Sequence, residues 1–344
     1  MPIVVPARSG SCIDRNPDKH TVVIVASLRR YTFTGAVLGA VVLALAFPEH
    51  FIHVGSFRLQ RLIVPLMQVI MAGVGCTMNW RDFARVLRMP KAVLIGVGCH
   101  YLIMPLVAIT IARTFGFPSE IAAGVVLVGC CPSGLASNVI ALLARANVPR
   151  SVTVTTFSTL LAPFTTPMLM KVLGGGFVPI DVGAMIWDMA KLVLAPVCAG
   201  VLFNRLFGDN AKLVLKAMPV VSMAGIATII VIITAAGRDA LLHVGIILVF
   251  AMFLHMTAGF TFGYFGARLC GLCEADSRTI SIEVGMQNGG LASGIAMQMG
   301  RVATMGLAAA VNGPVMNVTF SLLGTWWSSR PPRSSATCVP TAER

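Results

Sequence analysis

Two stretches decide the reading of this chain: Gly129-Cys130-Cys131-Pro132-Ser133-Gly134-Leu135-Ala136-Ser137-Asn138 and Glu283-Val284-Gly285-Met286-Gln287-Asn288-Gly289-Gly290-Leu291-Ala292-Ser293. Each lies inside an apolar run, and each puts Gly, Pro or Asn where a helix would otherwise continue. Both contain Gly-Leu-Ala-Ser, at 134–137 and 290–293, an offset of 156 residues. A Gly/Pro break frees N–H and C=O groups, which in an apolar medium cost several kcal/mol each unless something binds them. Such breaks therefore point to sites, with an anion for freed N–H groups and a cation for freed carbonyls. Gly-rich stretches can also be plain packing faces, but a packing face has no need of Gln, Asn, Ser and Glu beside its glycines.

The surroundings of these breaks are apolar throughout. Of 344 residues, 56% are hydrophobic and 11% charged, against about 25% charged in an ordinary soluble domain. That excludes a soluble enzyme, a disordered chain and a disulfide-stapled module. A membrane-crossing helix needs about 20 apolar residues, and ten runs meet that length: 32–48, 61–79, 91–112, 120–144, 151–170, 182–203, 217–236, 243–267, 279–300 and 303–327. Alternating the intervening loops places 19 of the 26 Lys and Arg on one side and six on the other, with Lys191 inside the sixth run. This bias predicts both termini in the cytoplasm and an even number of crossings. It also accounts for the net charge of +13 without nucleic acid, which would need a folded basic face.

The two breaks fall in the fourth and ninth runs, the corresponding member of each half. Five runs per half is odd, so the halves would insert with opposite orientation, the pattern of inverted repeats with discontinuous helices around a midplane site. The sequence thus predicts an all-α polytopic membrane protein with ten transmembrane helices as two inverted five-helix repeats. Helices four and nine are broken around that midplane site. Its parts are a basic tail over 1–31, a transporter domain over 32–328 (repeats 32–170 and 182–328) and a disordered tail over 329–344. Val22–Ala26 is too short for the apolar part of a signal peptide.

Glu283 alone among the 13 acidic residues lies deep in an apolar run. An intramembrane carboxylate is by default a functional group with a cation partner. No Lys or Arg is placed to serve, so a transported cation takes that role. Sodium prefers hard oxygen donors, as calcium and magnesium do. Ser137, Asn138 and Gln287 offer them, as do Ser151 and Thr155, four residues apart on one helix face.

At these residues the chain resembles the bile acid:sodium symporter family. The resemblance covers about 32–328, and its most specific parts are Val128–Asn138 and Ile282–Asn288. It implies panel and core domains, broken helices four and nine crossing at the midplane, no enzymatic activity and no resident cofactor. It further implies symport of sodium with an organic anion, pantoate-like or bile-acid-like, by alternating access in a bacterial inner membrane. One sodium would use Ser137, Asn138, Ser151, Thr155 and Glu283. A second would use Glu283, Gln287, the carbonyls of Val284 and Met286, and His100. Ser133, Gly134, Leu135, Asn288, Gly289 and Asn317 would face the substrate. Three residues depart from many relatives: Leu135 for Thr, His100 for Gln and Gly289 for Ser. Below this reading stand two others. One is a related-fold efflux carrier, proton-linked or arsenite-type with Cys130 or Cys131 as ligand. The other is an intramembrane enzyme with Ser137 as nucleophile and His100 or Glu283 as base.

Overall fold

A computed structural model describes residues 35, 37–78, 90–134, 136–207, 212–330 and 332. The tail over 1–31, Leu135 and nearly all of 329–344 lie outside the described residues. The described chain is all-α apart from a two-residue hairpin, His53–Val54 with Phe57–Arg58. Helix α1 covers Val37–Ala46 and α2 Pro48–Ile52, followed by α3 (Ile63–Thr77), α4 (Pro90–Thr114), α5 (Ser119–Cys130), α6 (Ser137–Leu143) and α7 (Val148–Leu169). The second part contains α8 (Val182–Met189), α9 (Ala195–Phe207), α10 (Lys212–Ala236), α11 (Arg238–Leu269), α12 (Glu274–Gly285), α13 (Gly289–Gln298) and α14 (Met305–Ser328). Among the described residues, five helical stretches are long and apolar enough to cross a membrane. The protein is a polytopic membrane protein.

Local chemistry explains where the helices start and bend. Asn147 caps α7 by accepting from the Arg150 N–H at 3.2 Å, and Asp181 caps α8 through the Ala184 N–H at 3.0 Å. Both use the side-chain oxygen to satisfy an N–H that the first turn leaves open. Between α8 and α9 the helix widens into one π turn over Ala190–Leu194. Pro196 follows closely, and its ring cannot donate to the preceding turn. Lys191 sits in that turn, paired with Asp188 at 2.7 Å, with its ammonium over the Trp187 ring. Its charge is thus met at a partly exposed position and does not reach the interior.

α3 lies against α9 and α10, and α4, α5, α7, α11, α12 and α14 pack against one another, with α14 also against α10. Contact between α3 and α9 is backbone to backbone: a Cβ at Gly75 would stand 2.1 Å from the Val197 carbonyl, and one at Gly200 2.0 Å from that of Ala72. Small residues at such crossings let lipid-embedded helices approach and gain dispersion contact. The side chains that leave the core, such as Leu102, Ile246, Phe250 and Leu269, form the lipid-facing surface.

Candidate functional site

The fourth and ninth apolar runs are both interrupted. α5 ends at Cys130 and α12 at Gly285, and both C-caps, Cys131 and Met286, are extended. The two extended pieces run antiparallel, with Ser133 opposite Gln287. Gly134 N–H donates to the Met286 carbonyl at 2.8 Å, and Asn288 N–H to that of Pro132 at 2.9 Å. Several of the backbone groups freed by unwinding are therefore satisfied by the other break. Asn288 then restarts the helix, its side chain accepting from the Leu291 N–H at 3.0 Å.

Glu283, one turn before the second break, is fully buried. Ser133 and Thr155 hydroxyls each donate to Oε2 at 2.7 Å, and Ser151 donates to Oε1. Ser137 Oγ stands 3.1 Å from Thr155 Oγ1. Three hydroxyls hold the carboxylate, contributed by the first break and by α7, while no Lys or Arg among the described residues forms an ion pair with it. Taking a charge out of water costs several kcal/mol even after relaxation, so an ionised Glu283 calls for a counter-cation. Two side-chain oxygens, Asn138 Oδ1 beside Ser137 and Gln287 Oε1 four residues after Glu283, are buried without a donor. A buried acceptor left unpaired costs about 1–3 kcal/mol, which a bound cation can offset.

The structure gives other expected site residues distinct partners. His100 is fully buried, with Nδ1 3.0 Å from the Glu283 carbonyl and Nε2 2.9 Å from that of Cys131. Carbonyls only accept, so the ring donates to at least one of them, linking α4 to the end of α5 and to α12. The Val284 carbonyl accepts from Gln287 Nε2 at 2.9 Å and the Met286 carbonyl from Gly134. Ser133, expected at the substrate, has its hydroxyl on Glu283.

Beside the crossing lies a cavity of about 550 Å³. Its polar end includes Gly134, Asn138, Gln287, Asn288, Gly289 and Asn317. Its walls are Met67 and Ile70 of α3 with Met218 and Ile226 of α10. No charged residue lines it. Asn288 Nδ2, a donor, and the Thr159 hydroxyl are buried without a partner and both residues line the cavity. Thr156, Thr159 and Ser321 were not singled out by the sequence; nothing local marks a hydroxyl on a long helix as cavity-facing. Cys130 and Cys131 are fully buried and absent from the cavity wall. Ser137 has Thr155 as its hydroxyl partner, while both His100 nitrogens face carbonyls.

Comparison with known proteins agrees with this architecture. The sodium bile acid symporter family matches residues 64–244, more than half of the chain. The chain is 36% identical to the uncharacterized sodium-dependent transporter YocS of Bacillus subtilis, over 89% of its own length and 93% of that protein. It is 36% identical to a probable sodium/metabolite cotransporter, BASS1, chloroplastic, of rice, over 85% of the chain and 74% of the relative. The corresponding Arabidopsis protein is 35% identical over 77% and 66%. The chain belongs to the sodium bile acid symporter family.

Proposed function

We propose that the protein is a sodium-coupled carrier of an organic anion. The observation that carries this is the buried Glu283, held by three hydroxyls, lacking a cationic side chain, and accompanied by unpaired oxygens of Asn138 and Gln287. Glu283, Ser137, Asn138, Ser151 and Thr155 form the first sodium site. Glu283, Gln287, the carbonyls of Val284 and Met286, and His100 surround the second. The unpaired atoms sort by sign, with acceptor oxygens for the cation and the Asn288 amide N–H for the anion. The cavity beside them, apolar on its α3 and α10 walls, takes the body of an amphipathic carboxylate or sulfonate, with Asn317 and Gly289 at its polar end.

The ten crossings form two inverted repeats. Support comes from a second pair of residues at the offset of Gly-Leu-Ala-Ser: Glu120 and Asp276 are 156 apart, each in the first turn of the leading half of a broken helix. Glu120 pairs with Arg301, beyond the other broken helix, and Asp276 with Arg150, likewise. Helices α1, α3, α8–α9 and α10 make the panel, and the remainder the core. Rocking of one against the other exposes the crossing to either side, as in carriers built around fixed midplane sites. Sodium acts by favouring the arrangement that receives the anion, since a ligand shifts an equilibrium only by its differential affinity.

Thermal unfolding of the purified protein in sodium against potassium chloride, with sodium-gradient uptake into proteoliposomes, tests the reading. Sodium-specific stabilisation in the wild type and its loss in Glu283→Gln is the expected outcome. A folded wild type indifferent to sodium overturns it.

A further inference from the structure

A second cavity, of about 830 Å³, lies away from the substrate cavity and shares none of its lining residues. It is formed where α11 ends, α12 begins and α14 ends, so all three contribute the turns nearest one membrane face. Its lining combines apolar side chains, among them Phe260, Phe265 and Leu323, with Arg268, Arg278 and Arg330 against a single carboxylate, Glu274.

The three arginines are not equivalent. Arg278 is buried and committed to the fold: it donates to Glu274 at 3.0 Å and to the Ala144 and Trp327 carbonyls at 3.2 Å each. Glu274 also accepts from the Tyr264 hydroxyl at 2.6 Å, so the one carboxylate is already engaged twice. Arg268 has only a carbonyl, that of Leu272 at 3.1 Å. Arg330 lies flat over the Trp326 ring, 4.4 Å from its centroid. Arg268 lies within electrostatic reach of Glu274 without forming an ion pair with it, and Arg330 has no carboxylate partner among the described residues, so three arginines share one carboxylate and the rim is net positive. Of the lining, Phe265 and Trp326 are exposed, as are Leu269 and Leu322 next to lining residues in the chain. They continue the apolar lining onto the lipid-facing surface, and Trp at that level marks the boundary between hydrocarbon and headgroups.

We infer that this cleft binds an anionic phospholipid, its phosphate between Arg268 and Arg330 and one acyl chain along Phe260, Phe265 and Leu323. A soluble anion would use the arginines and leave the apolar lining wet. A zwitterionic lipid would use that lining and bring its own cation to an already positive rim. Only a lipid with net negative charge suits both, the chemistry by which basic pockets between transmembrane helices select acidic headgroups. The inference does not depend on the Glu283 site or on what the protein carries.

Native mass spectrometry of the purified full chain in detergent, titrated with phosphatidylglycerol, phosphatidylcholine of the same acyl chains, and soluble glycerol phosphate, tests it. Phosphatidylglycerol binds tighter than phosphatidylcholine by roughly tenfold or more, as expected for two arginines at a headgroup, and glycerol phosphate does not compete at matched concentration. The double variant Arg268→Gln with Arg330→Gln loses that preference while keeping the wild-type melting temperature in lipid-free detergent and its response to sodium. Equal binding of the two lipids overturns the inference, as does a preference that survives in the double variant. Competition by glycerol phosphate overturns it in favour of a soluble anion. Should the double variant melt lower, Arg330→Gln alone decides, since among the described residues its guanidinium meets the Trp326 ring and no hydrogen-bond partner.

Discussion

An alanine at Gly134 would place its methyl group 2.8 Å from the carbonyl of Gln287, whereas at Gly290, the matching residue of the other break, it would stand 3.1 Å from the sulfur of Met67. The first obstacle is main chain fixed by its own hydrogen bonds; the second is the end of a flexible side chain on α3. The breaks share four residues yet do different work. Around Gly134 the two interrupted helices are fastened to each other. Around Gly290, α13 faces the side chain of Met67 on α3, where the proposed movement would occur. Similar sequence at two places in one fold thus meets fixed main chain at one and an adaptable side chain at the other.

His100 offers the severest test, because it touches both breaks at once. His100→Leu fills the space with a group that cannot donate and leaves at least one of the Cys131 and Glu283 carbonyls unpaired, at about 1–3 kcal/mol. Denaturant or thermal unfolding should show a large loss, and His100→Gln, which retains amide N–H donors, should recover much of it. An unchanged midpoint for the leucine variant would mean the two breaks do not need this link. Gly134→Ala comes next, with a destabilisation of about 1–3 kcal/mol from forcing a methyl against fixed backbone, read in the same assay.

Asn138→Ala compared with Asn288→Ala then separates cation from anion. Removing the oxygen of Asn138 should weaken sodium binding by roughly tenfold and leave anion affinity at saturating sodium near wild type. Removing the amide of Asn288 should do the reverse, both measured by calorimetry. Identical effects of the two would erase the division of labour. Gly290→Ala should be the mildest, about 1 kcal/mol or less in stability because Met67 adapts. Its effect belongs in the uptake rate, where a bulkier contact with α3 slows the relative movement.

Much of this was legible in the sequence because its causes are local. Gly and Pro interrupt a helix wherever they stand in an apolar run, so both breaks announce themselves. A lone carboxylate among apolar residues is equally visible, and Glu283 leads to its hydroxyl partners on α7 through the four-residue spacing of Ser151 and Thr155. What stayed hidden depends on register. In an extended segment successive side chains point to opposite sides, so whether Ser133 faces the substrate or Glu283 follows from its pairing with Gln287, 154 residues away, which no local pattern encodes. The arginine-lined cleft was hidden differently. Arg268, Arg278 and Arg330 count toward the loop-charge bias and orient the chain, and that role masks the fact that three helix ends bring them together.

The antiparallel bridge at Ser133 and Gln287 has a consequence for how such a carrier can change over time. Its fastening is made of main-chain N–H and C=O groups, of which every residue type supplies both except proline, which lacks only the N–H. Side chains along the cavity are therefore free to drift toward new cargo without loosening the joint that holds the helices crossed. A lineage could exchange its metabolite several times and inherit the same hinge-work unaltered, with variation concentrated on the α3 and α10 walls and constancy at Glu283, Gly134 and the hydroxyls that face the carboxylate.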